Sequence, residues 1–169
     1  MDFIKRVVGM PGDRVQMQGG RLYINDAPVA VQDAGVFTET MELQGPLQLR
    51  PRCENSPVGM GAACKKSRQI ETLPGGATHN ILNIVDQPAS RLSTDDTGVF
   101  TVPEGRFFFM GDNRDNSNDS RVPQTRNGVG FVARKDLVGR ADRVMFSSAG
   151  RSMFAFWTWR SDRFFKALE

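Results

Sequence analysis

Apolar and polar positions alternate in short bursts along this chain, and no helical period is sustained through residue 150. Residues 2–10 (DFIKRVVGM) read as a strand. Pro11-Gly12-Asp13 then supplies a turn: proline presets φ and glycine accepts the left-handed region. Val15-Gln16-Met17, Gly19-Gly20 and Leu22-Tyr23-Ile24 carry the signature of a hairpin. A second hairpin is predicted where residues 69–73 and 80–84 flank Pro74-Gly75-Gly76. Further strands are expected at 98–102, 107–110, 128–132 and 141–147, with one helical turn at most near 135–138. The predicted class is mainly β, built from antiparallel sheets.

Residues 33–68 mix proline, glycine and charge and read as an extended arm. The predicted organisation is a β core at 1–32 and 98–150, an inserted β arm at 33–97, and a tail at 151–169. In the tail, Phe154, Phe156, Trp157, Trp159, Phe164 and Phe165 alternate with Arg151, Arg160, Arg163 and Lys166. Aromatic rings beside cations suit a lipid headgroup interface. A short terminal helix laying its rings on the core is the competing expectation.

Composition narrows the class. The 169 residues suffice for one domain with a real core, and a formal net charge of +3 gives little reason to expect a nucleic-acid partner. No window holds the roughly 18 apolar residues of a membrane helix. Cys53 and Cys64 lie in a Gly/Pro-rich stretch, which suggests a small disulfide-closed loop and an oxidising compartment. His79 is the single histidine, so any histidine-dependent triad would rest on it alone.

Two segments carry chemistry. In the first strand, Lys5 shares a face with Phe3 and Val7, while Ile4, Arg6 and Val8 take the other. An amine between apolar neighbours loses solvation, its pKa falls, and it becomes usable as a base near neutrality. The second segment is GDNRDNSNDSR, residues 111–121, directly after the apolar run 107–110. Asp115, Ser117 and Asp119 have the alternation of a calcium loop, but the required glycine and distant glutamate are missing, so no metal is expected. No cofactor is expected either.

KRVVGMPGD, residues 5–13, resembles the "KRVVGxPGD" box of bacterial type I signal peptidases, and residues 111–121 resemble that family's "GDNRDNSxDSR" box. The order of the two boxes also matches. Residues 33–97 are similar only loosely. The resemblance implies a partly open β-barrel of signal-peptidase type. It implies a membrane-anchored serine endopeptidase with a Ser-Lys dyad that removes signal peptides from secretory preproteins after small residues. Carried over, Lys5 is the general base and Ser117 orients it, Asp119 and Arg121 form a supporting ion pair, and Asp2, Phe3 and Ile4 line the substrate pocket. A serine hydroxyl suits its task, because a carboxylate beside the amine would raise its pKa. The loop's carboxylates are then expected to pair with Arg114 and Arg121. The implied partners are preprotein signal peptides and a membrane surface, and the implied location is the inner membrane with the domain facing the periplasm.

The family's nucleophile belongs to an "SM.PT" box ahead of the lysine box. The sequence opens four residues before Lys5. It is therefore expected to hold the base and its orienter, to lack the nucleophile, and to be inactive alone. Ser152-Met153 repeats the dipeptide without its continuation and is rejected as the nucleophile. Two other readings stand beside this one: a conjugation-system maturation protease of the same family, and a non-catalytic peptide-binding or membrane-docking module.

Overall fold

The computed structural model describes residues 3–44, 48–84, 94–147, 156–159 and 161–168. Asp2, Arg151, Ser152, Met153, Phe154 and Arg160 lie outside the described residues, and with them part of the expected pocket and tail. In chain order the strands are β1 (Arg6–Gly9), β2 (Arg14–Gln18), β3 (Arg21–Ile24), β4 (Ala27–Pro28), β5 (Ala30–Thr40) and β6 (Ala63–Thr72). They continue with β7 (Thr78–Asn83), β8 (Phe100–Thr101), β9 (Arg106–Met110), β10 (Val132–Ala133), β11 (Arg143–Val144) and β12 (Lys166–Ala167). They form four antiparallel sheets, ordered β1-β9-β10, β4-β3-β2-β8, β5-β6-β7 and β11-β12, and none closes into a barrel.

The first hairpin shows how sequence fixes register. Gly19 and Gly20 both have positive φ, +54° and +77°, the backbone a tight two-residue turn with the right twist requires. That turn sets Val15 opposite Ile24 and Met17 opposite Leu22, and all four are buried. They form one core with Val8, Val102, Phe108 and Met110, against which Phe100 and Phe131 pack. The Phe100 and Phe108 rings lie 5.0 Å apart. Gly9 sits where this core meets β1; a Cβ there would come within 2.7 Å of Val15 and 3.0 Å of Phe108.

Residues 33–68 are more regular than their composition suggests. β5 pairs with β6 along nearly its whole length, with an irregularity between Asp33 and Val36. None of its residues is buried, and the irregularity breaks its alternation, so the apolar pattern on which strand reading relies is lost. β6 then pairs with β7 across the predicted turn at Pro74-Gly75-Gly76. Cys53 and Cys64 are disulfide-bonded and pack with Met41 in a small second core.

Other strands are shorter than the sequence implies. The first begins at Arg6, so Lys5 immediately precedes the ladder. Of 128–132 only Val132 pairs, continuing into Ala133 as β10, and of 141–147 only Arg143–Val144, as β11. No terminal α-helix appears among the described residues. Phe156–Thr158 and Ser161–Arg163 are single 3-10 turns, and Lys166–Ala167 returns as a strand against β11. Aromatic residues are too crowded here to give a helix one apolar stripe. No helix among the described residues is long and apolar enough to cross a membrane.

Candidate active site

Pairing between β1 and β9 assembles the site. Their antiparallel register sets Arg6 opposite Met110 and Val7 opposite Phe109. One step beyond, Lys5 meets the start of the 111–121 loop. Its Nζ donates a hydrogen bond to Ser117 Oγ at 2.8 Å, across 112 residues of sequence. Ser117 Oγ is the one hydrogen-bond partner of this amine among the described residues. A methyl group on Gly111 would overlap the Ser117 hydroxyl and lie 3.4 Å from Lys5 Nζ, so this glycine leaves the space that the contact occupies.

The amine is half-buried, and that burial drives its pKa below the ordinary lysine value. Asp119 and Asp112 pull it back up and Arg121 pushes it down, yet the direction remains downward. The acids are neutralised by their own partners. Arg121 holds both oxygens of Asp119, Nε to Oδ1 at 2.9 Å and Nη2 to Oδ2 at 2.8 Å, and both side chains are buried. Gly111 N–H donates to the same carboxylate at 3.0 Å. Burial pushes the Asp119 pKa up, but the Arg121 contact outweighs it and the carboxyl titrates below its usual range. Asp112 is gripped by Arg6 through two contacts, at 2.9 and 3.0 Å.

The expected pairing within the loop needs correction. Arg121 does take a loop carboxylate. Arg114 instead leaves the loop and donates to buried Glu71 of β6. Asp115 accepts from the backbone N–H of Ile84 at 2.6 Å. Ser120 stitches the loop back to β9 by accepting from Phe109 N–H at 2.9 Å. The polar crowding of this segment thus satisfies an irregular backbone from several directions at once.

Of the expected site residues, Lys5, Ser117, Asp119 and Arg121 are brought together. Phe3 and Ile4 lie at the rim, 52% and 81% exposed, and line a cavity of about 770 Å³ with Lys5, Phe109, Val129 and Leu137. Phe109 is the member of the 107–110 run that faces this cavity, whereas Phe108 and Met110 belong to the core. Sequence reasoning overlooked Gly111, Glu71 and the Arg6–Asp112 pair. Gly111 had a signal, as the residue that strand pairing sets against Lys5. The partners of Arg114 and Arg6 had none, since nothing local marks a contact between distant strands. His79 is buried with Nε2 3.2 Å from Glu71 Oε2, remote in the hydrogen-bond network from Lys5. Among the described residues, no cluster of three or more His, Cys, Asp or Glu side chains is placed to hold a metal.

The family described as signal peptidase, peptidase S26, matches residues 1–146. The chain belongs to this family. Signal peptidase I of Rickettsia typhi is 34% identical over 150 residues, covering 86% of this chain and 46% of that protein. The Rickettsia prowazekii enzyme of the same name is 34% identical over 152 residues, with the same coverage. The chain spans about half the length of the curated relatives it matches. A crystal structure of a signal peptidase I from Enterococcus faecalis aligns over 81% of this chain and 80% of its own, with 23% identity and a TM-score of 0.34. The family assignment rests on the sequence matches. It identifies the lysine box and the polar loop as parts of a peptidase S26 domain.

Proposed function

We propose that this domain removes signal peptides from secretory preproteins by serine acylation, with Lys5 as the general base. The observation that carries the reading is the half-buried Lys5 amine on the Ser117 hydroxyl, 2.8 Å away. In the reaction a serine hydroxyl attacks the carbonyl carbon of the scissile bond while Lys5 takes its proton. The intermediate collapses, the leaving amine receives that proton from Lys5, and an acyl-enzyme remains. Water, deprotonated by the same amine, then releases the acid and regenerates serine.

Ser117 acts here as the orienter of the amine, and Asp119 with Arg121 as the buried support of the loop. In this reading the attacking hydroxyl belongs to a serine other than Ser117. Substrate adds as a strand beside β1, which stands at the edge of its sheet. Small side chains enter the cavity at Phe3 and Ile4, joined in this proposal by Asp2. The domain works at the periplasmic face of the inner membrane, where Phe156 and Trp157, 69% and 76% exposed, meet the lipid surface.

The test is incubation of the enzyme that carries this domain, wild type and Lys5→Ala, with a preprotein bearing an Ala-x-Ala site. Cleavage that fails with Lys5→Ala is expected. Cleavage unaffected by Lys5→Ala overturns the assignment of the base.

A further inference from the structure

The Lys5–Ser117 contact uses only one end of the polar loop. The other end is tied to the inserted sheet. Arg114 lies in the 3-10 turn Arg114–Asn116, just before Ser117. Its Nη2 donates to Glu71 Oε2, and His79 Nε2 approaches the same oxygen at 3.2 Å. All three side chains are buried. Arg114 Nε and Nη1 have no acceptor among the described residues, so Glu71 is what fixes this guanidinium. Burial pushes Glu71 up, but the approach of His79 and the Arg114 charge hold its pKa below the usual range, so it is ionised near neutrality.

Arg114 also connects to the catalytic end through its backbone. Its carbonyl accepts from Arg121 Nη2 at 2.6 Å, and Arg121 holds Asp119, which accepts from Gly111 N–H. Gly111 is the residue packed against Ser117 and Lys5. A continuous buried path therefore runs from β6 to the amine. Leu82 N–H to Asp112 O at 2.8 Å and Ile84 N–H to Asp115 Oδ2 add a second seam between the arm and the loop. A buried ion pair is weak evidence of net stability, since hydrophobic replacements often match it. Its better-attested use is to fix one arrangement among several.

We propose that Glu71 and Arg114 are positioning residues, whose buried pair makes the inserted sheet the frame that sets the Ser117 hydroxyl against the Lys5 amine. The inference rests on the Lys5–Ser117 reading above. The charged groups around the amine are Asp119, Arg121 and Asp112, and none of them is altered by changing Glu71. Loosening the loop admits water to the amine, and its titration moves toward that of an ordinary lysine.

The experiment follows the Lys5 Cε–Hε NMR signal of the 169-residue chain against pH, with the signal assigned by Lys5→Met. Wild type is compared with Glu71→Gln and with Glu71→Gln/Arg114→Gln, which leaves no unpaired buried charge if the single variant folds poorly. The expected result is a depressed Lys5 midpoint in wild type that rises by about one pH unit, a tenfold change in proton affinity, in the variants. A depressed wild-type midpoint that stays in place in folded variants, even with a lowered Tm, overturns the positioning role and leaves the base assignment intact. An ordinary wild-type midpoint overturns both.

Discussion

Gly111 has no side chain where Ser117 needs room: any Cβ at that position would overlap the serine hydroxyl that holds Lys5. The relationship couples backbone to chemistry. Gly111 ends the stretch that β9 leads into, its N–H is held by Asp119, and its bare Cα is the floor under the contact.

Gly111→Ala is therefore expected to displace Ser117 rather than the backbone. Overpacking of this kind costs about 1–3 kcal/mol of stability. In an active enzyme turnover should fall by a factor of about 100 or more, the scale lost when base catalysis is disabled. Denaturant unfolding and preprotein cleavage, measured on the same variant, separate the two effects. Unchanged turnover would show that Ser117 can hold the amine from elsewhere.

Ser117→Ala removes the orienting hydroxyl and leaves the amine in place. Cleavage should fall by about 10²–10⁴-fold, with the fold intact by circular dichroism. A variant that keeps full activity would remove Ser117 from the mechanism.

Lys5→Met carries an opposite sign for stability and activity. The Lys5 pKa is lowered from 10.5 in the folded chain. Between the folded value and 10.5 the unfolded chain binds more protons, so folding becomes more favourable as pH rises through that window. Below the window the buried ammonium opposes folding. Lys5→Met should thus have a higher Tm than wild type near neutrality, and the gap should narrow in alkali. Cleavage should be abolished. Thermal melts across pH test the first claim and the preprotein assay the second.

The Asp119–Arg121 pair gives a pH dependence of the same sign in the acid range, since its carboxyl pKa is also lowered on folding. Asp119 is depressed below its ordinary 3.8, so its contribution is complete above that value and fades as pH falls through the folded pKa. Glu71 behaves alike below its ordinary 4.5. Asp119→Asn leaves Arg121 buried without its counter-charge and should cost about 3–5 kcal/mol near neutrality. The acid-side slope of Tm against pH should flatten in that variant. A slope identical to wild type would place the acid sensitivity elsewhere.

Much of the scaffold was legible because it is set locally. Gly19-Gly20 and Pro74-Gly75-Gly76 announce their hairpins, and Cys53 and Cys64 announce a closed loop that forms as a disulfide. β5 was hidden because the strand lies on the surface and does not alternate cleanly. The tail left two expectations open, a lipid interface and a short helix, because crowded rings suggest packing without specifying a period; its described residues form 3-10 turns and a strand. At the site, Lys5 and Ser117 could be named from two motifs, but the arm's hold on the loop could not. Glu71 and Arg114 are 43 residues apart and neither stands in a pattern that points to the other. Long-range ion pairs depend on register between sheets, which short segments do not encode.

Lys5 should lose its proton at a lower pH than an ordinary lysine, because burial drives its pKa down. Trace acetylation of the native chain across pH, with each lysine followed by peptide mass spectrometry, measures that directly. Exposed Lys65, Lys135 and Lys166 serve as internal references. Half-maximal labelling of Lys5 at a clearly lower pH than all three references is the predicted result. Labelling of Lys5 in step with them would contradict the account.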